Sequence, residues 1–142
     1  MTEKLKILAL IYKKENSELK FLALRNNPID PKHGGDFWYV VTGGVEKNEN
    51  LIDAVYREIQ EETGILQINK IIDLNTEYKY YNKNTNVLYK EYAYLVKVNK
   101  HVISLNEEHI DYEWLIADDF IKRIKWYGND LLSFIQKATI TN

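Results

Sequence analysis

Residues 43–65 read GGVEKNENLIDAVYREIQEETGI, a stretch with a helical period bounded by glycines. Asn50 suits an N-cap with Asp53 three residues on, and Gly64 suits the residue just past the last turn, so the pattern predicts a helix over 50–63. On it Glu58, Glu61 and Glu62 stand at i, i+3 and i+4 and share a face, where like charges repel and weaken an isolated helix. Ile52, Val55 and Ile59 occupy another side and predict the buried face. Such a helix belongs in a fold that packs one side and shows the other to a cleft. A hard divalent cation with a preference for oxygen ligands would turn the acidic repulsion into binding. The Gly43-Gly44 pair lets backbone approach an ion or phosphate with no Cβ in the way. Arg57 is within reach of Glu49 or a neighbouring carboxylate and would orient it.

The flanking chain reads as sheet and helix. Ile7–Tyr12 and Phe21–Leu24 are continuous apolar runs that suit strands buried on both faces. The polar stretch between them, with Asn16-Ser17, predicts a hairpin. Residues 26–36 hold both prolines and Gly34-Gly35 and read as a loop, after which Phe37–Val41 reads as a short strand. β-like stretches follow at 65–81, 87–98 and 112–116, with a turn at 82–86. The tail from Asp118 to Lys137 has helical spacing, interrupted at Gly128. The expected class is α/β or α+β, a sheet with helices packed on it, in a single domain spanning 1–142.

Composition narrows the chemistry. Cysteine is absent, which removes disulfides, thiolate metal sites and cysteine nucleophiles. The net charge of -2 gives no reason to expect a long nucleic acid or an anionic membrane as partner. No apolar run approaches a membrane span, and the start has no signal-peptide layout, so a cytoplasmic location is expected. The charge is unevenly placed: residues 43–65 hold six acids against two bases, and the rest of the chain fifteen acids against seventeen bases.

Gly43, Glu49, Arg57, Glu58, Ile59, Glu61, Glu62, Gly64 and Ile65 match, position by position, the signature of the Nudix hydrolases. A chance match in a chain this long is on the order of 10⁻⁷ from average residue frequencies. The chain is therefore identified as resembling that family. The resemblance implies a mixed β-sheet between helices and hydrolysis of a nucleoside diphosphate linked to another group, with Mg²⁺ required and Mn²⁺ as a substitute. It implies that Glu58, Glu61 and Glu62 bind the metal, that the Gly43 carbonyl completes the shell, and that Glu58 or Glu61 takes a proton from the attacking water. Asn48 stands where the family usually has glycine; Asn tolerates left-handed backbone, so the turn is expected to survive.

Residues 43–65 form the family's signature segment, its box; the run into it, Phe37–Glu46, and farther on Glu108–Leu115 are similar to the branch that hydrolyses dihydroneopterin triphosphate and deoxynucleoside triphosphates. By that likeness Glu108 is a further metal ligand or general base, and Trp126 and Asn129 resemble a Trp and Asn of the closing helix. Two departures stand out: Gly44 replaces a frequent Ser, and the loop at 26–36 is longer. Arg25 is a candidate phosphate contact or a plain surface charge. Trp38 is either core or a base platform. Tyr80, with Tyr78, Tyr81, Tyr89, Tyr92 and Tyr94 on the two strands after the box, either stacks a base or pterin or packs the sheet. Trp114 reads as core. His33, His101 and His109 show no metal-ligand spacing among them, and His109, next to Glu108, either steadies that loop or is a surface histidine.

The expected activity is Mg²⁺-dependent release of pyrophosphate and a monophosphate from a (deoxy)nucleoside or pterin triphosphate by a monomer or homodimer. A dinucleoside polyphosphate hydrolase, an ADP-ribose or nucleotide-sugar pyrophosphatase and an RNA 5′-end pyrophosphohydrolase are the alternatives among enzymes. The first commonly has Lys-Gly-His where Thr42-Gly43-Gly44 stands, and against the last this sequence shows no basic stripe for an RNA chain. A non-catalytic nucleotide-binding module is the alternative of another kind, and such modules generally lose the box acids retained here.

Overall fold

The computed structural model describes residues 1–29, 34–99 and 102–141; His33 and His101 fall outside them. Strand β1 (Thr2–Glu15) and strand β2 (Glu18–Asn26) form the expected hairpin, with paired register from Tyr12↔Phe21 to Glu15↔Glu18. Its two-residue loop puts Asn16 and Ser17 at φ 52° and 67°, the doubly left-handed turn whose twist matches antiparallel strands. The strands thus run through the polar residues between the two apolar runs.

Residues 37–41 are not one strand. They split into β3 (Trp38–Tyr39), paired with β2, and β4 (Val41–Gly44), paired with β1. Val40 lies between them with its side chain 2% exposed in the core, which sends the chain from one partner strand to the other. Residues 65–69 also differ from the β-like reading. Gly64 at φ 75° ends helix α1 (Leu51–Thr63), and Ile65 then drops into the core, its amide donating to the Thr63 hydroxyl. Strand β5 (Lys70–Asn82) begins later and turns at 83–86 into β6 (Val87–Lys97). Strand β7 (His109–Leu115) begins three residues before the expected start, its first residues His109 and Asp111 pairing with Asn26 and Arg25 of β2. Helices α2 (Ala117–Arg123) and α3 (Asn129–Thr141) flank the interruption at Gly128.

These strands form one mixed sheet in the order β3-β2-β1-β6-β5, with β4 added to β1 and β7 to β2. β1 is the shared member. It pairs with β2 through its last residues, with β4 through Lys6–Ala9, and in parallel with β6 from Thr2 to Tyr12. Side chains alternate along it. Ile7, Ala9 and Ile11 meet Ala54, Val55 and Ile59 of α1. Leu8, Leu10 and Tyr12 meet Phe120 of α2 and Leu131, Phe134 and Ala138 of α3. The sheet is therefore sandwiched between helices, as expected. Each fully buried Ile, Leu or Phe here contributes about 1.5–3 kcal/mol. Ile52 is a correction: it is 40% exposed, and Ala54 takes its place on the inner face of α1. No helix among the described residues is long and apolar enough to cross a membrane.

Gly64 tests the junction between the helix and the core. A Cβ there would add left-handed strain and lie 3.1 Å from the Cβ of Ser104. Gly64→Ala is expected to lower stability by about 1–2 kcal/mol in denaturant unfolding, and an unchanged midpoint would contradict the assigned cap.

Candidate active site

The loop between β4 and α1 is held by short polar contacts. Asn50 caps the helix, its side-chain oxygen accepting from the amide of Asp53 at 2.8 Å. Asn48 adopts φ 66°, the left-handed conformation expected of it. Glu49 accepts from the Glu46 amide at 3.0 Å and takes two hydrogen bonds from Arg57, from Nε and Nη2, each at 2.9 Å. The same guanidinium donates to the Gly44 carbonyl at 2.7 Å and to Glu58 Oε1 at 2.8 Å. Arg57 therefore ties loop to helix and is a positioning residue, since it does not line the cavity described below. Its hydrogen bonds hold the Glu49 carboxyl down at about 2, and the carboxylates raise Arg57 above the usual range.

Gly43 is required by contact. A Cβ at this position would lie 2.0 Å from the Glu58 carboxyl carbon, so the β4 backbone and the Glu58 head are in direct apposition.

The three box glutamates are not displayed alike. Glu58 and Glu62 are 8% and 2% exposed and face inward, whereas the Glu61 side chain is half exposed and contacts Arg57 loosely at 3.4 Å. Glu62 Oε1 is 2.8 Å from His109 Nε2, which β7 brings to the helix. His109 is thus a buried member of the site, not the surface residue its isolated position in the sequence suggests. Burial, then Glu108, then Glu58 push the Glu62 carboxyl well above the carboxylate range. Ligand atoms of Glu62, Glu108 and His109 lie within 4.8 Å of one another. Among the described residues, Glu62 Oε2 is buried with no hydrogen-bond partner.

A buried carboxylate oxygen of this kind, beside a second carboxylate, fits a divalent cation. Of the acids expected to bind metal, the structure brings Glu62 and Glu108 together and places Glu58 beside Glu62. Glu61 stands farther out, and the Gly43 backbone abuts Glu58.

This acidic group opens into a cavity of about 1200 Å³. Its far side is aromatic. Phe37, Tyr39 and Trp126 meet edge to face with ring centres 5.0–6.2 Å apart, and Tyr80 stacks on Tyr89 at 5.0 Å. Tyr39 and Tyr127 stack and join through their hydroxyls. Trp126 and Tyr80, both expected to touch substrate, line this cavity. Trp38, Arg25 and Asn129 do not. Trp38 packs against the core cluster that includes Phe120 of α2, with the Arg123 guanidinium 4.6 Å over its ring. Arg25 makes a two-pronged ion pair with Asp36 at 2.9 and 2.7 Å. Asn129 is exposed at the start of α3. Strand alternation is the signal for Phe37 and Tyr39: if Trp38 faces one way, its neighbours face the other.

Glu91 also lines the cavity although it is only 5% exposed. Burial raises its carboxyl on balance, only partly countered by the Lys6 charge and the Tyr127 hydroxyl.

The Arg57 clamp sets an acid limit for the loop. The Glu49 carboxyl drops from an ordinary 4.5 to about 2 in the folded protein. Its contribution to stability is therefore full above pH 4.5 and is lost as pH falls toward 2. Arg57→Gln is expected to remove this protection and move the acid-unfolding midpoint upward when followed by circular dichroism; an unshifted midpoint would deny the clamp a stabilising role.

Comparison with known proteins agrees with this geometry. Residues 4–135 match the NUDIX domain. The dihydroneopterin triphosphate diphosphatase of Haemophilus influenzae is 28% identical over 136 residues, covering 87% of this chain and 80% of that protein. An Ap4A hydrolase of C. elegans, solved as a binary complex, superposes with a TM-score of 0.76 at 22% identity over 98% of this chain and 99% of its own. The dihydroneopterin triphosphate pyrophosphohydrolase of E. coli gives 0.71 at 24% identity over 96% and 97%. With the family pattern spanning nearly the whole sandwich and the glutamates standing on the loop-helix unit, the chain belongs to the Nudix hydrolases.

Proposed function

We propose that this Nudix hydrolase is a Mg²⁺-dependent pyrophosphohydrolase, with Mn²⁺ as a substitute, that cleaves a (deoxy)nucleoside or pterin triphosphate to the monophosphate and pyrophosphate. The observation that carries the reading is the shared cavity, whose two sides differ in chemistry: Glu62, Glu108 and His109 on one, stacked and edge-on aromatic rings on the other. Its volume of about 1200 Å³ exceeds the roughly 300–1,000 Å³ common for small-ligand clefts, which suits a ring system carrying a phosphate chain. The likeness to the Haemophilus influenzae diphosphatase supports the same substrate class.

The cation, held by Glu62 and Glu108, would neutralise phosphate oxygens and lower the pKa of the attacking water. The remaining work falls to this chain. His109 Nε2 orients Glu62 through its Oε1 contact, in the manner of an outer-sphere partner. Glu58 is engaged by Arg57 and braces Glu62. Glu108 lines the cavity, and its carboxylate is the group assigned to accept the water's proton. The aromatic side fixes the ring of the substrate by stacking, worth about 1–3 kcal/mol per ring.

Glu62→Gln and Glu108→Gln are each expected to cut kcat by about 10²–10⁴-fold in a panel of dNTPs, dihydroneopterin triphosphate, Ap4A and ADP-ribose, with pyrophosphate and phosphate detected separately. Folding is checked by circular dichroism. Undiminished turnover in both variants would overturn the site, and a marked preference of the unmodified enzyme for Ap4A or ADP-ribose would overturn the substrate class.

A further inference from the structure

Register across the sheet places Gly44, Lys6, Glu91 and Tyr78 in one row through β4, β1, β6 and β5. The next row holds Lys4, Tyr89 and Tyr80. Registered partners project to the same face, the face that farther along β1 and β6 carries Leu8, Leu10, Ala93 and Leu95 under α2 and α3. The inward positions therefore change from aliphatic to charged and aromatic where the helical cover stops. Glu91 is the anomaly in this row. A carboxylate 5% exposed on an aromatic wall costs free energy to desolvate. Among the described residues it forms no ion pair within 4.0 Å, while Lys6 Nζ sits 5.9–6.0 Å from the centres of the Tyr80 and Tyr89 rings. A core-facing leucine would fill the same place without that cost.

We infer that Glu91 is a specificity-determining residue that reads the ring of the substrate, favouring the 2-amino-4-oxo-pyrimidine edge shared by guanine and pterins. The argument is one of donors and acceptors. That edge presents a ring N–H beside an exocyclic NH₂, two donors side by side, and a carboxylate presents two acceptors in the matching fork. The corresponding edges of adenine and cytosine place a ring nitrogen lone pair next to their amino group, which a carboxylate repels. Burial raises the Glu91 carboxyl on balance, and against it the Lys6 charge and the Tyr127 hydroxyl act toward the ionised, accepting form. Tyr80, Tyr89 and Trp126 supply ring faces in the same cavity.

This inference rests on the reading that the cavity takes a nucleoside or pterin phosphate, and the experiment separates the two. Binding of dGMP, dIMP, dAMP and neopterin monophosphate to the full chain is followed by calorimetry and by tryptophan fluorescence, apart from any turnover. Hydrolysis of dGTP, dITP, dATP and dihydroneopterin triphosphate is measured in parallel. Inosine lacks only the exocyclic amino group, so removing one donor tests the fork with no mutation. The unmodified protein is expected to bind dGMP or neopterin monophosphate about 10-fold or more tightly than dIMP and dAMP, the range of one paired edge. In Glu91→Gln these ratios are expected to fall toward one, with the KM ratio rather than the kcat ratio changing in the hydrolysis series. The relative strength of dGMP and neopterin monophosphate identifies the natural source of the edge. Equal binding of dGMP, dIMP and dAMP by the unmodified protein, or a preference unaltered in Glu91→Gln, would overturn the role of Glu91 even if triphosphates are hydrolysed. Selective dGMP binding without hydrolysis of any triphosphate would instead overturn the proposed reaction and leave the role of Glu91 standing.

Discussion

The guanidinium of Arg57 is the contact on which the acidic end of the cavity depends. One planar group reaches Glu49, Glu58 and the Gly44 carbonyl, and so joins the end of β4, the loop and the middle of α1. A lysine could not do this, because a point charge cannot hold several acceptors in fixed directions. With the loop tied down, Glu58 is pressed against Gly43 and Glu62 is turned toward β7. The glutamates next to it then need no separate device to be positioned. Arg57 offsets part of their mutual repulsion at Glu58, while Glu62 keeps its carboxyl raised by burial and by its acidic neighbours and contacts His109, so that Glu62 and Glu108 face the cavity.

The sheet explains why this acidic end adjoins an aromatic pocket. β1 extends beyond the ends of α2 and α3, so its even-numbered positions pass from Leu8 and Leu10 in the core to Lys4 and Lys6 on the cavity wall. The cavity is thus the uncovered continuation of the core surface and needs no separate domain. Phe37, Tyr39 and Trp126 close it from the side, and the hydroxyl contact between Tyr39 and Tyr127 anchors β3 to the segment before α3.

Local patterns in the sequence were good guides wherever local energetics decide. The caps at Asn50 and Gly64, the turn at Asn16-Ser17 and the left-handed Asn48 all follow from short-range hydrogen bonding and sterics, and all appear as read. The reach of Arg57 to Glu49 was legible for the same reason. Features set by distant strands were not. His109 looks like a surface residue until β7 is placed beside α1, and Glu91 is one acid among many until β6 is registered against Lys6. Trp38 was attractive because of its neighbours in sequence, but alternation on β3 sends it under Arg123 while Phe37 and Tyr39 take the cavity. Arg25 reads equally as a phosphate contact or a surface charge, and its pairing with Asp36 depends on the loop after β2, which no local pattern places.

The parallel pairing of β1 with β6 has a consequence for how the protein acquires its site. The β1–β2 hairpin joins near neighbours and closes a short loop, whereas β6 must return to the first strand of the chain from its far half. Non-local pairings of this kind are slow to form because a long loop must close before any contact rewards it. Lys6 and Glu91 meet only across that seam, and Glu108 and His109 arrive later still in sequence. A nascent or partly folded chain with the hairpin and α1 in place therefore has its loop-helix unit but no pocket. Ligand recognition is consequently a property of the fully registered sheet, and binding would report completion of folding rather than the presence of its early elements.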